Sequence, residues 1–251
     1  MDYIRLTPEN IEREHICCAI SNAKDPQVIA KKQWLAERLG EGLVFLKADA
    51  RGKCFIEYIP AENAWSPIDA PNYMFIDCLW VSGSFKGHGY SNDLLGECIR
   101  DSREKGKLGL CILSSAKKHG FLADPKYLKY KGFLKADSAK PYFELMYLPF
   151  DPSAPVPCFR GQAKEAKTDG RGFEIFCTSQ CPFTAKYVPI IENTAKDMGL
   201  PLKAVHISSR AQAQNAPCAY TAFSLFYNGN FVTHEIPSEN KFKAICKEFV
   251  K

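Results

Sequence analysis

The stretch that decides the fold runs from Tyr73 to Lys105 and is YMFIDCLWVSGSFKGHGYSNDLLGECIRDSREK. Its first part, Tyr73 to Val81, is almost continuously apolar, which predicts a buried strand. A glycine-bearing turn follows. From Ser91 the apolar residues recur at the three-and-four spacing of one helical face, which predicts an amphipathic helix capped by Ser91 or Asn92.

Two glycines, Gly87 and Gly89, lie in the turn between the predicted strand and the predicted helix. Glycine lets a ligand approach the backbone closely. A turn in this position directs free backbone N–H groups and the positive end of the helix dipole toward an anion, usually a phosphate. The sequence therefore predicts a phosphate-binding turn ahead of the helix.

The segment from Lys86 to Ser91, KGHGYS, resembles the pyrophosphate loop of the GNAT family of N-acetyltransferases, whose pattern is Arg/Gln-x-x-Gly-x-Gly/Ala. The preceding Leu79-Trp80-Val81 resembles the L-x-V strand end of that family. Two positions depart from the pattern, because Lys86 replaces Arg or Gln and Ser91 replaces the final Gly or Ala. Both replacements keep the charge or the small size.

The resemblance implies an enzyme that moves an acetyl group from acetyl-CoA directly to an amine. In the family, the splayed strand offers backbone groups to the pantetheine arm of acetyl-CoA, and the loop amides hold the pyrophosphate. The residues implied to bind the cofactor are Leu79, Trp80, Val81, Lys86, Gly87, His88, Gly89, Tyr90 and Ser91.

Composition is that of a globular protein with one large or two modest domains: 251 residues, 46% hydrophobic and 24% charged. No apolar run approaches the roughly 18 residues that span a bilayer, and the polar N-terminus does not resemble a signal peptide. We therefore expect a cytoplasmic protein without a membrane partner. The net charge of +5 is spread along the chain, which argues against a nucleic-acid partner.

The chain divides into two halves. Residues 1–150 show the order β-α-β-β-β-α-β-α-β, which resembles the acetyltransferase fold, an α/β (α+β) domain whose mixed central sheet has splayed strands. Residues 151–172 are rich in proline at first and then polar, which is typical of a linker. Residues 173–251 have a β-α-β-hairpin-α order, with a turn at Asn228-Gly229 and a closing helix from Glu239 to Val250. That order predicts a smaller thioredoxin-like domain, and it resembles the YoaP-like C-terminal extension of some bacterial acetyltransferases.

The general acid of the family is commonly a tyrosine four residues before the glycine of an F-Y-x-x-x-G-F segment. Here the segment is Tyr127 to Phe133, YLKYKGF, and the usual tyrosine position is occupied by Leu128. Tyr127 and Tyr130 are the nearby candidates. Either supplies the acid after a small register shift, or the pair only packs and contacts CoA.

A candidate base is Asp77, in the middle of the apolar strand and, by alternation, on the same face as Phe75 and Leu79. Desolvation would raise its pKa toward a useful range, although a hydrogen-bonded structural acid is the alternative. Glu57 is a second candidate, and Trp65 lies on a loop that either shapes an acceptor pocket or only connects strands. Family members also deprotonate the amine through water. The acceptor is expected to be a small-molecule or peptide amine, and a homodimer is allowed.

The sequence has eleven cysteines and no paired spacing typical of zinc, so we predict reduced thiols and no metal site. The segment from Cys181 to Thr184, CPFT, resembles a glutaredoxin-type site whose second cysteine has become Thr. A helix N-terminus predicts a lowered Cys181 pKa. Cys177 is a candidate resolving partner, and Ala216-Pro217 matches a cis-proline position with Cys218 close by. The alternative is a redox-inactive docking module.

The leading hypothesis is therefore an acetyl-CoA-dependent N-acetyltransferase joined to a thioredoxin-like accessory domain. The alternative is a thiol redox or soft-metal(loid)-binding protein whose GNAT half only senses acyl-CoA. A third hypothesis is a non-catalytic interaction protein.

Overall fold

The structure, a computed structural model, describes residues 1–19 and 22–249. Val250, the predicted end of the last helix, lies outside this part of the chain. Within the described ranges, no helix is both long and apolar enough to cross a bilayer.

Residues 3–149 form a seven-stranded sheet with helices on both of its faces. Its strand order is β1-β2-β3-β5-β6-β8-β7, and each pair of neighbours is antiparallel except β5 and β6. The strands of this half are β1 (Tyr3–Arg5), β2 (Val44–Ala48), β3 (Cys54–Pro60), β4 (Ile68–Asp69, outside this sheet), β5 (Tyr73–Val81), β6 (Gly109–Ser115), β7 (Leu134–Ala139) and β8 (Phe143–Pro149). Its helices are α1 (Pro26–Leu39), α2 (Tyr90–Glu104) and α3 (Pro125–Tyr130).

The two faces of this sheet are buried by different helices. Leu94, Leu95 and Cys98 of α2 pack on one face, as their spacing predicts. Trp34 and Leu35 of α1 pack on the other face. Because both faces are buried, the central strand β5 is apolar along most of its length, and its bounds are those predicted from the sequence.

The start of α2 differs from the prediction. The helix begins at Tyr90, and its N-cap is Gly89 in a left-handed conformation with φ of 82°. Ser91 and Asn92 lie inside the first turn, so neither caps the helix with its side chain. A left-handed N-cap is easily adopted by glycine, which has no Cβ to clash.

The segment predicted to be a linker contains two short elements, β9 (Cys158–Phe159) and α4 (Gly161–Glu165). Strand β9 pairs with β4 of the first half.

Residues 173–249 form a second sheet of four strands with the order β11-β10-β12-β13. Strands β10 and β11 are parallel, whereas β12 and β13 are antiparallel neighbours. The element order is the predicted one with one addition, because the short helix α6 between β11 and β12 was not predicted. The elements are β10 (Phe173–Cys177), α5 (Pro182–Asp197), β11 (Leu202–His206), α6 (Arg210–Gln214), β12 (Phe223–Tyr227), β13 (Asn230–Thr233) and α7 (Glu239–Phe249).

The predicted hairpin turn of this half is observed, but its predicted cis-proline is not. Asn228 and Gly229 both have positive φ, as a type I′ hairpin turn requires. Among the described residues the cis peptide bond is Lys140–Pro141, so the prediction of a cis bond at Ala216–Pro217 is wrong.

One hydrophobic core cluster contains residues of both halves. The second half adds Ile207, Ala213, Ala216, Cys218, Ala219 and Phe226 to the core cluster on the α1 face of the large sheet. Hydrogen bonds also join the halves in this region. Thr221 Oγ1 donates to the Trp65 carbonyl, and Gln214 Nε2 lies within hydrogen-bonding distance of the Glu62 and Ala64 carbonyls. The second half therefore covers the α1 face of the acetyltransferase-like sheet.

Candidate active site

The central strands β5 and β6 separate halfway along the sheet. Their parallel pairing runs from Tyr73 opposite Gly109 to Ile76 opposite Ile112 and ends there. Beyond this point β5 continues to Val81 while β6 stays paired with β8 on its other side. The β6-facing backbone of residues 77–81 is therefore available to a ligand that lies between the strands.

A β-bulge marks the point of separation. Glu57 and Tyr58 are consecutive on β3, but they pair with Cys78 and Ile76 of β5, so Asp77 is the extra residue. A bulge changes the direction of the strand and of its side chains, and bulges are frequent beside active sites. Asp77 therefore lies where the ligand-accessible part of β5 begins.

The bulge overturns the prediction that Asp77, Phe75 and Leu79 lie on one face. Phe75 belongs to the core on the α1 side, whereas Leu79 packs against the core on the α2 side. The extra residue shifts the two-residue alternation by one position.

The predicted phosphate-binding turn forms an open cradle at the N-terminus of α2. Gly87 and Gly89 have φ of 83° and 82°, and a Cβ added at either position would meet no atom within 4 Å. The space over their backbone is therefore free for a ligand. A cavity of about 230 Å³ lies here, lined by Val81, Phe85, Lys86, Gly87, Gly89, Tyr90, Ser91, Asn92 and Tyr127. Seven of these are residues 85–87 and 89–92, in and around the loop predicted from the sequence.

The two candidate acids occupy different environments. The Tyr127 hydroxyl donates to the Ser91 carbonyl at 2.8 Å, and burial raises the pKa of Tyr127 to about 12. Tyr130, at the end of α3, is 78% exposed. Leu128, at the usual tyrosine position, is buried in the core. The structure thus places Tyr127 beside the loop cavity and Tyr130 in solvent.

A buried ion pair lies on the α1 side of the bulge. Lys31 Nζ is 2.6 Å and 2.7 Å from the two carboxylate oxygens of Glu57, and both side chains are almost fully buried. Burial alone would lower the pKa of Lys31, but Glu57 outweighs it and the net pKa is raised. Glu57, the second candidate base, is therefore paired with a cation of its own chain.

Asp77 lies beside this pair, and within residues 1–19 and 22–249 no cationic side chain forms an ion pair with it. The side chain keeps some accessible surface although it lies deep in the molecule. Burial, and then the neighbouring Glu57 carboxylate, raises the pKa of Asp77 well above its ordinary value. A raised pKa makes the ionised carboxylate of Asp77 a stronger base than that of an ordinary aspartate.

The Cys181 thiol, which was expected to be reactive, lies in an environment that disfavours its thiolate form. Burial raises the pKa of Cys181 to about 11, and the Phe183 amide and the Lys31 ammonium oppose this only in part. The prediction of a lowered Cys181 pKa is therefore wrong, because desolvation of the thiolate outweighs the effect of the helix N-terminus. Cys18 and Cys78 of the first half are the thiols that interact electrostatically with Cys181.

The remaining candidates are buried elsewhere. Burial raises the pKa of Cys177 and Cys218 to about 12 in each case. Trp65 packs edge-on against Trp34, and the Arg38 guanidinium lies 4.1 Å from the Trp65 ring centre. The described part of the chain contains no group of three or more His, Cys, Asp or Glu side chains arranged to hold a metal ion.

Two residues of the site were missed in the sequence. Lys31 lies on the buried face of α1, in line with Val28, Leu35 and Arg38 at the three-and-four spacing. A cation within such an apolar face was a detectable signal. Gln180 hydrogen-bonds Asp77 from the second half, and no local pattern indicated this contact.

Comparison with known proteins identifies the family. The chain is 42% identical over 246 residues to the uncharacterized N-acetyltransferase YoaP of Bacillus subtilis (strain 168), and the match covers 98% of both chains. The chain belongs to the YoaP-like family of N-acetyltransferases. The family model described as YoaP-like matches residues 201–243, within the second half. The acetyltransferase prediction and the YoaP-like resemblance are thereby confirmed.

Similar solved structures are also acetyltransferases. One is the PaiA N-acetyltransferase of Thermoplasma acidophilum in complex with coenzyme A, at 18% identity and a TM-score of 0.41, covering 60% of this chain and 100% of that one. Another is a GNAT family acetyltransferase of Brucella melitensis in complex with acetyl-CoA, at 16% identity and a TM-score of 0.37, covering 61% of this chain and 90% of that one.

Proposed function

We propose that this chain transfers the acetyl group of acetyl-CoA directly to the nitrogen of a small-molecule or peptide amine. The observation that carries the proposal is the open cradle at Gly87 and Gly89. It lies at the N-terminus of α2 and close to the end of β5, in the part of β5 that no longer pairs with β6. A long ligand with an anionic centre fits this combination of open loop and free strand backbone.

Residues of the first half would hold acetyl-CoA at two places. The backbone N–H groups of the loop from Lys86 to Ser91 and the positive end of the α2 dipole would face the pyrophosphate. The Lys86 ammonium would add a positive charge. The backbone of residues 79–81 is free on the β6 side to bond the pantetheine arm. Tyr127 holds the Ser91 carbonyl, so we assign it to fixing the loop rather than to proton transfer.

The amine nitrogen attacks the thioester carbonyl, so a C–N bond forms, the C–S bond breaks and CoA leaves as a thiolate. The thiolate takes up the proton that the nitrogen loses after the attack, and the chain must supply an acceptor for the proton lost before it. At neutral pH a basic amine arrives as an ammonium ion and has to lose a proton before it can attack. Asp77 lies where β5 begins to separate from β6. Its raised pKa suits it to take that proton, whereas Glu57 is already paired with Lys31.

Substitution of Gly89 by Val tests the cofactor site. The Val side chain would fill the cradle and would strain a backbone with φ of 82°, so CoA affinity should fall at least about tenfold. The measurement is isothermal calorimetry with CoA. Gly106→Val is the matched control, because Gly106 also has a positive φ and open space but lies at the far end of α2. Wild-type CoA affinity in Gly89→Val would contradict the proposed site.

The same proposal includes a cytoplasmic enzyme with two domains, at 1–150 and 173–251, joined by a linker at 151–172. It also includes the absence of a nucleic-acid partner and a homodimer as an allowed assembly. It is supported by the dispersed charge of the chain and by the two separate sheets. The thiol redox alternative gains no support, because burial raises the pKa of Cys181 to about 11 and suppresses its thiolate.

A further inference from the structure

The turn ahead of α5 joins the second half to the candidate active site. The Gln180 carbonyl accepts a hydrogen bond from Lys31 Nζ at 2.7 Å. The Gln180 side-chain amide donates from Nε2 to Asp77 Oδ1 at 2.9 Å. One residue of the second half is therefore bound, through its backbone and its side chain, to two charged residues of the first half.

This turn is held in shape by its own hydrogen bonds. The Gln180 amide N–H donates to Thr178 Oγ1 at 3.3 Å. The Thr184 hydroxyl lies 2.8 Å from the Thr178 carbonyl oxygen and 2.6 Å from that of Cys181, and both threonines are buried. The backbone from which the Gln180 side chain extends is consequently held by the chain itself, as a supporting residue of an active site requires.

We propose that Gln180 is a positioning residue for acetyl transfer, whose amide holds Asp77 Oδ1 so that Asp77 Oδ2 takes the proton of the amine. The inference rests on the proposed function. It assigns the second half a direct part in the chemistry, because the group that orients the base comes from the turn at the start of α5.

The charges around Asp77 set its pKa, so the loss of the Gln180 hydrogen bond would be detected as a change in that pKa. The titratable and charged groups that face it are Glu57 from β3, Lys31 and Arg38 from α1, Cys111 from β6 and Tyr220 from the loop before β12. Burial and Glu57 raise the pKa of Asp77, whereas Lys31, Arg38 and the Gln180 hydrogen bond lower it. Without Gln180 the carboxylate would be protonated at a higher pH than in the wild type.

The consequence depends on the protonation of the acceptor. A strongly basic amine is an ammonium ion at pH 7 and needs a base before it can attack. Hydroxylamine is largely neutral, so it needs no base before the attack, and the proton that its nitrogen loses afterwards can pass to the leaving thiolate. Loss of a positioning residue should therefore affect the two classes of amine unequally. A merely structural defect would affect both classes alike.

The experiment compares the full-length wild type with Gln180→Leu, using benzylamine, spermidine and hydroxylamine as probe acceptors. We expect kcat/KM for the basic amines at pH 7 to fall at least about tenfold and that for hydroxylamine to change by less than about twofold. The acid limb of the pH–rate profile should move to higher pH, and the KM for acetyl-CoA should stay unchanged. Gln180→Glu, which puts a like charge against Asp77, should move the limb further.

Gln214→Leu is the matched control. Gln214 also bonds the first half from the second half, through the Glu62 carbonyl at 3.1 Å. This variant should keep the wild-type pH profile. Equal losses with basic amines and hydroxylamine, or an unmoved acid limb in both Gln180 variants, would overturn the inference and leave the proposed function standing. A wild type that acetylates none of the three probes would overturn both.

Discussion

Acid should weaken the contact between the two halves through one buried histidine. His234, directly after β13, is fully buried. Its Nε2 lies 2.8 Å from the Gly120 carbonyl, which can only accept, so Nε2 carries the hydrogen. Its Nδ1 then accepts from the Tyr142 hydroxyl at 2.8 Å. Both ring nitrogens of the neutral form are satisfied by residues of the first half.

The magnitude follows from the shift of the His234 pKa. Burial lowers it from 6.5 to about 4. Between these values the unfolded chain binds the proton and the folded chain does not, so the free energy of unfolding falls as the pH falls from 6.5 toward 4. The difference is about 2.5 pH units, and at about 1.4 kcal/mol per unit the loss approaches about 3 kcal/mol.

The assay is urea denaturation followed by tryptophan fluorescence at pH 7, 5.5 and 4. The wild type is compared with His234→Gln, whose amide can accept and donate but does not titrate. The carboxylates shared by the two proteins cancel in the comparison, so the wild type should lose about 3 kcal/mol more than the variant between pH 7 and 4. His206→Gln, at an exposed position on β11, is the control. Parallel pH dependences for wild type and His234→Gln would refute the reasoning.

Two further predictions concern reactivity and domain organisation. At pH 7.5 iodoacetamide should modify the exposed Cys158 at least about tenfold faster than Cys181, because burial raises the Cys181 pKa to about 11 and only the thiolate reacts. Peptide mass spectrometry measures both rates, and Cys158→Ser removes the fast site. Equal rates at the two cysteines would count against the argument. Limited proteolysis should first cut within residues 152–156, where Val156 is 57% exposed. The residues that follow are held by the pairing of β9 with β4 and by the hydrogen bonds of α4, so a first cut within 158–165 would contradict the prediction.

What the sequence predicted well was local and strongly patterned. Strand β5 has its predicted bounds because nine residues of nearly continuous apolar character leave no other choice. The cradle at Gly87 and Gly89 was also predictable, since glycine in a turn between a strand and a helix has few other uses.

Three features of the site could not be predicted because they depend on contacts between residues far apart in the sequence. The bulge at Asp77 was invisible because β5 is buried on both faces, so its alternation leaves no polar pattern to interrupt. Gln180 meets Asp77 across 103 positions of sequence. The prediction for the Cys181 pKa considered only the helix that begins after this residue. Cys181 is also buried by the first half of the chain, where Lys31 donates to the carbonyl of the neighbouring Gln180.

The core shared by the two halves has a consequence for synthesis of the chain on the ribosome. Phe75 on β5 belongs to the same core cluster as Phe226 on β12, about 150 residues later. At roughly 5–20 residues per second, elongation across that distance takes about 8–30 seconds, during which the α1 face of the nascent sheet lacks the part of its cover that the second half supplies. Because an uncovered apolar face attracts other chains, the interval before Phe226 emerges is when aggregation competes with folding and when a chaperone would be of most use.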